Sequence, residues 1–135
     1  MDCIFCKIAE GEIPSFKLAE SEDALAFLDI APIAKSHGIV IPKQHFNTAL
    51  ESEPKIFSAI YELAIRVAKS IQKVIGCSGF NFLINNGETA GQTVYHLHLH
   101  IIPRFDNDEI KWSWNPKTID KEAASVLAEQ IRKNL

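Results

Sequence analysis

The sequence predicts an α+β fold, a five-stranded antiparallel sheet with one long helix and a second helix at its C-terminal end. Three observations carry this. Short apolar or β-branched runs come in groups and do not alternate regularly with helices, which favours an antiparallel sheet over a doubly wound parallel one. One stretch repeats apolar residues at three- and four-residue steps for more than five turns. The chain has 135 residues, 47% apolar and 23% charged, which is the size and composition of one globular domain. A single domain over residues 1–135 is therefore expected.

The elements follow in order. Residues 3–14 mix apolar and polar positions and are punctuated by Gly11 and Pro14. Residues 16–20 and 24–30 are apolar-rich runs separated by Ser21-Glu22-Asp23, and predict a hairpin. Residues 31–35 contain Pro32 and read as a loop, and 38–41 as a third strand ending at Pro42. The long helix starts at Ser52-Glu53-Pro54, because proline is tolerated in a first turn. It carries Ile56, Ile60, Leu63, Val67, Ile71 and Val74 on one face and stops at Gly76. Residues 80–85 predict a fourth strand, 86–93 a glycine-containing loop, and 96–102 a fifth strand ended by Pro103. Residues 106–116 read as irregular, with Trp112 and Trp114. A last helix over 119–131 places Ala123, Leu127 and Ile131 on one face.

Charge and cysteine content narrow the function. The net charge of −3 argues against a nucleic acid polymer or an anionic membrane as the main partner, while leaving room for a small anionic ligand. No apolar run approaches the roughly 20 residues that span a bilayer. The start of the chain has no basic region followed by a long apolar one, so no signal peptide is expected. A reducing, cytoplasmic location follows, in which Cys3, Cys6 and Cys77 are thiols or metal ligands rather than disulfides.

His96, His98 and His100 alternate along the fifth predicted strand. Alternate strand residues share a face, so the three imidazoles line one side at roughly 6–7 Å spacing, with Leu97, Leu99 and Ile101 toward the core. A merely solvated face would use Lys, Glu or Thr. Imidazole is the side chain that acts as nucleophile, acid, base or metal ligand near neutral pH. The other two histidines, His37 and His45, flank the third strand, which an antiparallel sheet can bring alongside. Cys3-Ile4-Phe5-Cys6 is a C-x2-C pair, open to three readings: zinc ligands, a redox pair, or two small buried residues. Any tetrahedral site built on it must recruit histidines, because no second C-x2-C exists. The loop Asn85-Asn86-Gly87-Glu88-Thr89-Ala90-Gly91-Gln92-Thr93 offers glycines and amide donors that suit an anion, and gains weight only from the neighbouring histidines.

Together these residues resemble the histidine triad (HIT) family. The segment from Gln92 to Ile102 matches its His-φ-His-φ-His-φ-φ signature, φ being apolar. Ile4-Phe5-Cys6-Lys7-Ile8, Ala26-Phe27-Leu28-Asp29-Ile30 and His37-Gly38-Ile39-Val40-Ile41-Pro42-Lys43 resemble family segments in the expected order, and the likeness covers about residues 3–105. It implies a homodimer whose two five-stranded sheets join into one. It implies hydrolysis of a purine nucleoside phosphoramidate or dinucleoside polyphosphate at the α-phosphorus through a nucleotidyl-histidine, releasing a nucleoside monophosphate. By position, His98 is the nucleophile, His100 and His37 are its neighbours, and Thr93 helps the leaving group. Asn85, Gly91 and Gln92 match residues that hold phosphate or leaving group, Asp29 the acid that binds ribose hydroxyls, and Ile4, Phe5, Ile8, Phe27 and Ile30 the base pocket. Zinc-binding members carry Cys-x2-Cys at this place, which implies a closed structural Zn2+ site of Cys3, Cys6, His45 and His96 and no organic cofactor. The triad continues as Ile102-Pro103-Arg104-Phe105, unlike the glycine-rich continuation of the phosphoramidase branch. Two other readings stand beside this one: a non-catalytic nucleotide-binding or scaffold protein, and a hydrolase using the three triad histidines as zinc ligands.

Overall fold

A computed structural model describes residues 2–135. The elements are α1 (Ile4–Ala9), β1 (Lys17–Glu20), β2 (Ala24–Leu28), β3 (Gly38–Pro42), α2 (Pro54–Ile75), β4 (Gly79–Leu83), a 3₁₀ turn (Glu88–Ala90), β5 (Leu99–Arg104) and α3 (Lys121–Lys133). The five strands form one antiparallel sheet in the order β1-β2-β3-β5-β4. The predicted architecture is therefore present.

The three central strands, β2, β3 and β5, are buried on both faces. One face carries Ala24, Ala26, Val40, Leu99 and Ile101 against Ile60, Leu63, Ala64, Val67, Ala68 and Ile71 of α2. The alanines of β2 let the helix approach closely. Helix α2 starts at Pro54, whose missing N–H would have had no partner in the first turn. It ends at Gly76, where φ is +66° and the amide donates to the Gln72 carbonyl. Val74 departs from the predicted inner face and is 80% exposed, whereas Ile75 beside it packs against the core. The second face carries Leu25, Phe27, Ile39 and Ile41, packed against Cys3 and Phe5 at the N-terminal end. Short α1 was not foreseen from the sequence. Six residues show too little periodicity, and what starts the helix is Cys3, whose sulfur accepts from the Cys6 amide at 3.4 Å.

Element ends differ from the sequence reading by up to three residues, and those of β5 and α3 matter most. β5 begins at Leu99, so His96 lies in a bend and His98 in irregular chain before it, and it runs through Pro103 to Arg104. Pro103 is tolerated because β3 pairs with β5 only as far as Ile101, leaving that side of the strand without a ladder. Helix α3 starts at Lys121, capped by Asp120, whose carboxylate accepts from the Ala123 amide. Its predicted stripe is present but uncovered: Leu127 and Ile131 are each 56% exposed.

The stability of this layout rests on the α2 face. Leu63→Ala empties a fully covered site and is expected to cost about 2–5 kcal/mol in denaturant unfolding. A loss below 1 kcal/mol would show that α2 is not seated as described.

Candidate functional site

The site is built on the second sheet face. Antiparallel register sets Phe27 opposite Ile39 and Ile39 opposite His100. One step further out, the Asp29 amide donates to the His37 carbonyl at 2.9 Å. Asp29 and His37 thus close the β2–β3 connection on the same face as His100. Their side chains also shape that loop. Asp29 Oδ1 accepts from the Ala31 amide at 2.8 Å, and His37 Nδ1 accepts from the Ile33 amide at 3.2 Å.

These bonds determine the imidazole tautomers. His37 Nδ1 accepts a backbone proton, so in neutral His37 the ring proton sits on Nε2. That Nε2–H lies 2.9 Å from His100 Nδ1 and 3.6 Å from Asp29 Oδ2. His100 Nδ1 then accepts, and its Nε2 carries the proton. His98 is set the opposite way. Its Nδ1 lies 2.6 Å from the His96 carbonyl oxygen, which can only accept, so Nδ1 is protonated and Nε2 presents a lone pair. The His98 and His100 rings stand 4.8 Å apart, nearly perpendicular. A nucleophilic nitrogen and an N–H donor are thereby held side by side.

Burial keeps these rings neutral. It pushes the His100 pKa down to about 4, helped by the neighbouring His98 and His37 and opposed by Asp29. It also lowers those of His98 and His37, against the pull of Asp29.

The two rings open on a cavity of about 420 Å³. Ile4, Phe5, Ile8, Phe27, Ile30, Asp29, Thr93, His98 and His100, all anticipated, line it. Ile13, Pro14, Ile39 and Val94 also line it and were missed, because nothing in their local spacing marks them. His37 sits behind His100. Asn85 and Gly91 lie together in the loop, the Asn85 amide donating to the Gly91 carbonyl at 3.3 Å. Gly91 needs its freedom, with φ at +96° and Asn85 3.5 Å from where a Cβ would stand. Gln92 turns inward, away from the cavity: it is 2% exposed, and its amide bonds only to backbone groups.

A second cluster lies beyond Phe5, whose ring stands edge-on to both His96 and His98. Cys3 Sγ is 3.4 Å from His96 Nδ1, Cys6 Sγ is 3.3 Å from His45 Nδ1 and 3.5 Å from His96 Nδ1, and the two Nδ1 atoms are 3.2 Å apart. Tetrahedral zinc, with bonds of about 2.3 Å to sulfur and 2.05 Å to nitrogen, sets sulfur and nitrogen ligands about 3.5 Å apart and two nitrogens about 3.3 Å apart. The donor set fits. The far ring nitrogens are also satisfied, His96 Nε2–H donating to the Pro42 carbonyl at 2.8 Å and His45 Nε2–H to Asn47 Oδ1 at 3.1 Å. Each Nδ1 is thus an acceptor turned to the centre, the arrangement that a hydrogen bond at the far ring nitrogen gives a metal-ligating histidine. Burial and the adjoining Cys3 push the Cys6 thiol up to about 11, a cost that a bound cation would offset. The three triad histidines do not converge on one point, so the three-histidine metal site is not formed.

An antiparallel α+β domain with a tautomer-ordered histidine pair beside a Cys2His2 cluster defines a histidine-based site on a sheet face. The HIT domain model matches residues 10–107, and the chain belongs to that family. It is 44% identical over 133 residues to an adenosine 5′-monophosphoramidase of Schizosaccharomyces pombe, covering 97% of this chain and 96% of that one. It is 39% identical over 138 residues to an adenylylsulfatase of Arabidopsis thaliana, covering 99% and 70%. A HIT family structure from Bacillus subtilis aligns over 100% of this chain and 98% of its own, with TM-score 0.94 and 38% identity. A zinc-bound histidine triad protein from Mycobacterium smegmatis aligns over 98% of both chains, with TM-score 0.78 and 32% identity.

A pH prediction follows. Histidines held neutral by burial take up protons on unfolding below their ordinary value of 6.5, so stability is full above that value and lost as pH falls toward 4. The urea midpoint is expected to fall between pH 6.5 and 5, and to fall less in the His98→Asn/His100→Asn double variant. Equal slopes would show that these rings are not held neutral.

Proposed function

We propose that the protein hydrolyses a purine nucleoside phosphoramidate or a dinucleoside polyphosphate at the α-phosphorus, through a nucleotide covalently held on His98. The observation that carries the reading is the opposed tautomers of His98 and His100 on the wall of one apolar cavity. The S. pombe and A. thaliana relatives, by name a monophosphoramidase and an adenylylsulfatase, support the same chemistry.

The base lies among Ile4, Phe5, Ile8, Phe27 and Ile30, and Asp29 accepts the ribose hydroxyls. An apolar slot of this kind favours a large flat base over a small one but separates purines weakly. His98 Nε2 attacks phosphorus, forming a P–N bond as the bond to the leaving group breaks. The proton the leaving group needs comes by way of Thr93 or solvent. Charge developing on the phosphoryl oxygens is met by His100 Nε2–H and by the loop around Asn85 and Gly91. His37 holds His100 in the donating tautomer. Water then attacks phosphorus, the P–N bond breaks, and a nucleoside monophosphate leaves. Gln92 acts on this loop from behind rather than on the phosphate.

Cys3, Cys6, His45 and His96 would hold a zinc ion, as their mutual distances support. Four protein ligands close such a site, so the ion supplies a cross-link between the N-terminus and the sheet. The chain acts in a reducing cytoplasm and pairs as a homodimer. β4 supports the pairing, because among the described residues its outer edge has no strand beside it, and the strand exposes Phe82. Sedimentation at twice the chain mass tests it.

Reaction with radiolabelled adenosine phosphoramidate, and separately with diadenosine tetraphosphate, tests the chemistry. Acid-labile label is expected on the wild type and none on His98→Ala. His98→Asn should lower turnover by roughly 10³-fold or more and leave nucleotide affinity within about threefold. His100→Asn should cost about 10²–10³-fold in kcat. Undiminished turnover in His98→Asn would eliminate the mechanism. Tight nucleotide binding with no label and no AMP would establish the scaffold reading instead.

A further inference from the structure

Gln92 is the most completely engaged polar side chain beside the site. Its Oε1 accepts from the Gly87 amide at 2.8 Å, and its Nε2 donates to the carbonyls of Asn47 at 2.6 Å and Val94 at 3.0 Å. Its backbone amide also donates to the Gly87 carbonyl at 3.1 Å, so the loop from Gly87 to Gln92 is closed on itself and hung from Asn47. Asn47 in turn meets the metal-ligand cluster, through its Oδ1 and His45 Nε2. A parallel tie joins the same two segments, the Ala49 amide donating to Asn86 Oδ1 at 2.8 Å. A cavity of about 450 Å³ lined by Cys3, His45, Asn47, Thr93 and Tyr95 lies alongside this chain of bonds, and Thr93 also lines the 420 Å³ cavity.

We propose that Gln92 is a positioning residue that couples occupancy of the Cys3, Cys6, His45 and His96 cluster to the shape of the phosphate loop. His45 meets the side chain of Asn47 through its Nε2, and the backbone carbonyl of Asn47, two residues along the chain from this ligand, accepts from the Gln92 amide at 2.6 Å. Gln92 has no freedom of its own, being buried with both ends of its amide bonded. Any shift therefore reaches the Gly87 amide, at the start of the turn that presents Gly91. Gly87 and Gly91 reach φ of +93° and +96°, and the turn between them is closed by backbone bonds, the Gly87 carbonyl accepting from the Ala90 and Gln92 amides at 3.1 Å and the Glu88 carbonyl from the Gly91 amide at 2.9 Å. A glutamine that merely filled space would stabilise the loop equally with and without metal.

The consequence for ligand affinity rests on the nucleotide reading of the cavity, whereas the coupling does not, and the experiment separates them. Amide shifts of Gly87 and Gly91 are recorded on 15N-labelled protein loaded with Zn(II), loaded with Cd(II), and treated with chelator. In the wild type both amides are expected to move between metals and on chelation. In Gln92→Met, which keeps length but loses the amide, the metal dependence should vanish while metal content stays stoichiometric. AMP titrations on the same samples should show chelation weakening wild-type binding by about tenfold, within the usual range of coupling between sites, and Gln92→Met binding by less than about threefold. Equal metal responses of the two glycines in both proteins, or none in the wild type, would overturn the proposal. If the chelated protein unfolds, the Zn(II)–Cd(II) pair decides alone. Failure of the wild type to bind AMP, with the glycine responses as expected, would sink the nucleotide reading and leave the coupling standing.

Discussion

His96 is held at three points, and the rest of the site depends on it. Its Nε2–H is bonded to the Pro42 carbonyl, its Nδ1 faces the two sulfurs and His45, and its own carbonyl receives the His98 Nδ1–H at 2.6 Å. That last bond leaves His98 with a free Nε2 lone pair toward the cavity. A fully buried ring tied on both nitrogens has one orientation, so the carbonyl that selects the His98 tautomer has one position. The residue that leads the triad thus serves its neighbour through the backbone, while its side chain belongs to the other cluster.

Burial makes this arrangement decisive. An unpaired polar group inside a protein costs the full price of its desolvation, so every ring nitrogen here that is turned away from the cavity has a partner. No buried side-chain nitrogen or oxygen among the described residues lacks a hydrogen-bond partner. Neutrality of His37, His98 and His100 follows from the same burial, because charging any of the three would put a cation in a low-dielectric pocket, a cost that the nearby Asp29 only partly offsets. The ordering of tautomers from Ile33 through His37 to His100, and separately from His96 to His98, gives two adjacent rings opposite hydrogen-bonding characters. Two identical side chains become an acceptor and a donor through their surroundings alone.

The second sheet face is completed by parts distant in the chain. Helix α1 precedes the residues matched by the HIT domain model, yet its Phe5 walls the cavity and separates the histidine pair from the sulfur cluster. At the other end, Arg104 chelates Asp108 at 2.7 and 2.8 Å and reaches Asn81, which also accepts from Trp112. The irregular segment thus leaves the sheet in a defined direction, and Trp112 is held at β4 rather than against α3. Trp114 is open to solvent.

The residue pattern alone determined the antiparallel class, the long helix to within two residues at its start, and the pool of imidazoles and thiols from which both clusters are drawn. Such features are local: a 3.6-residue repeat, a proline in a first turn, a glycine at a helix end, a C-x2-C spacing. The division of the histidines, implied at the level of sequence only by the family resemblance, has its physical cause in the tertiary structure. A strict strand alternation treats His96, His98 and His100 alike, but the strand begins at Leu99, and the chain before it lets His96 turn to Cys3 and Cys6 while His98 turns to the cavity. The inward turn of Gln92 was equally illegible, because its partners Asn47 and Gly87 come from separate loops. Ile13, Pro14, Ile39 and Val94 join the cavity for the same reason. Side-chain direction and tautomer are set by hydrogen bonds and packing across long sequence separations, and those exist only once the sheet has brought the segments together.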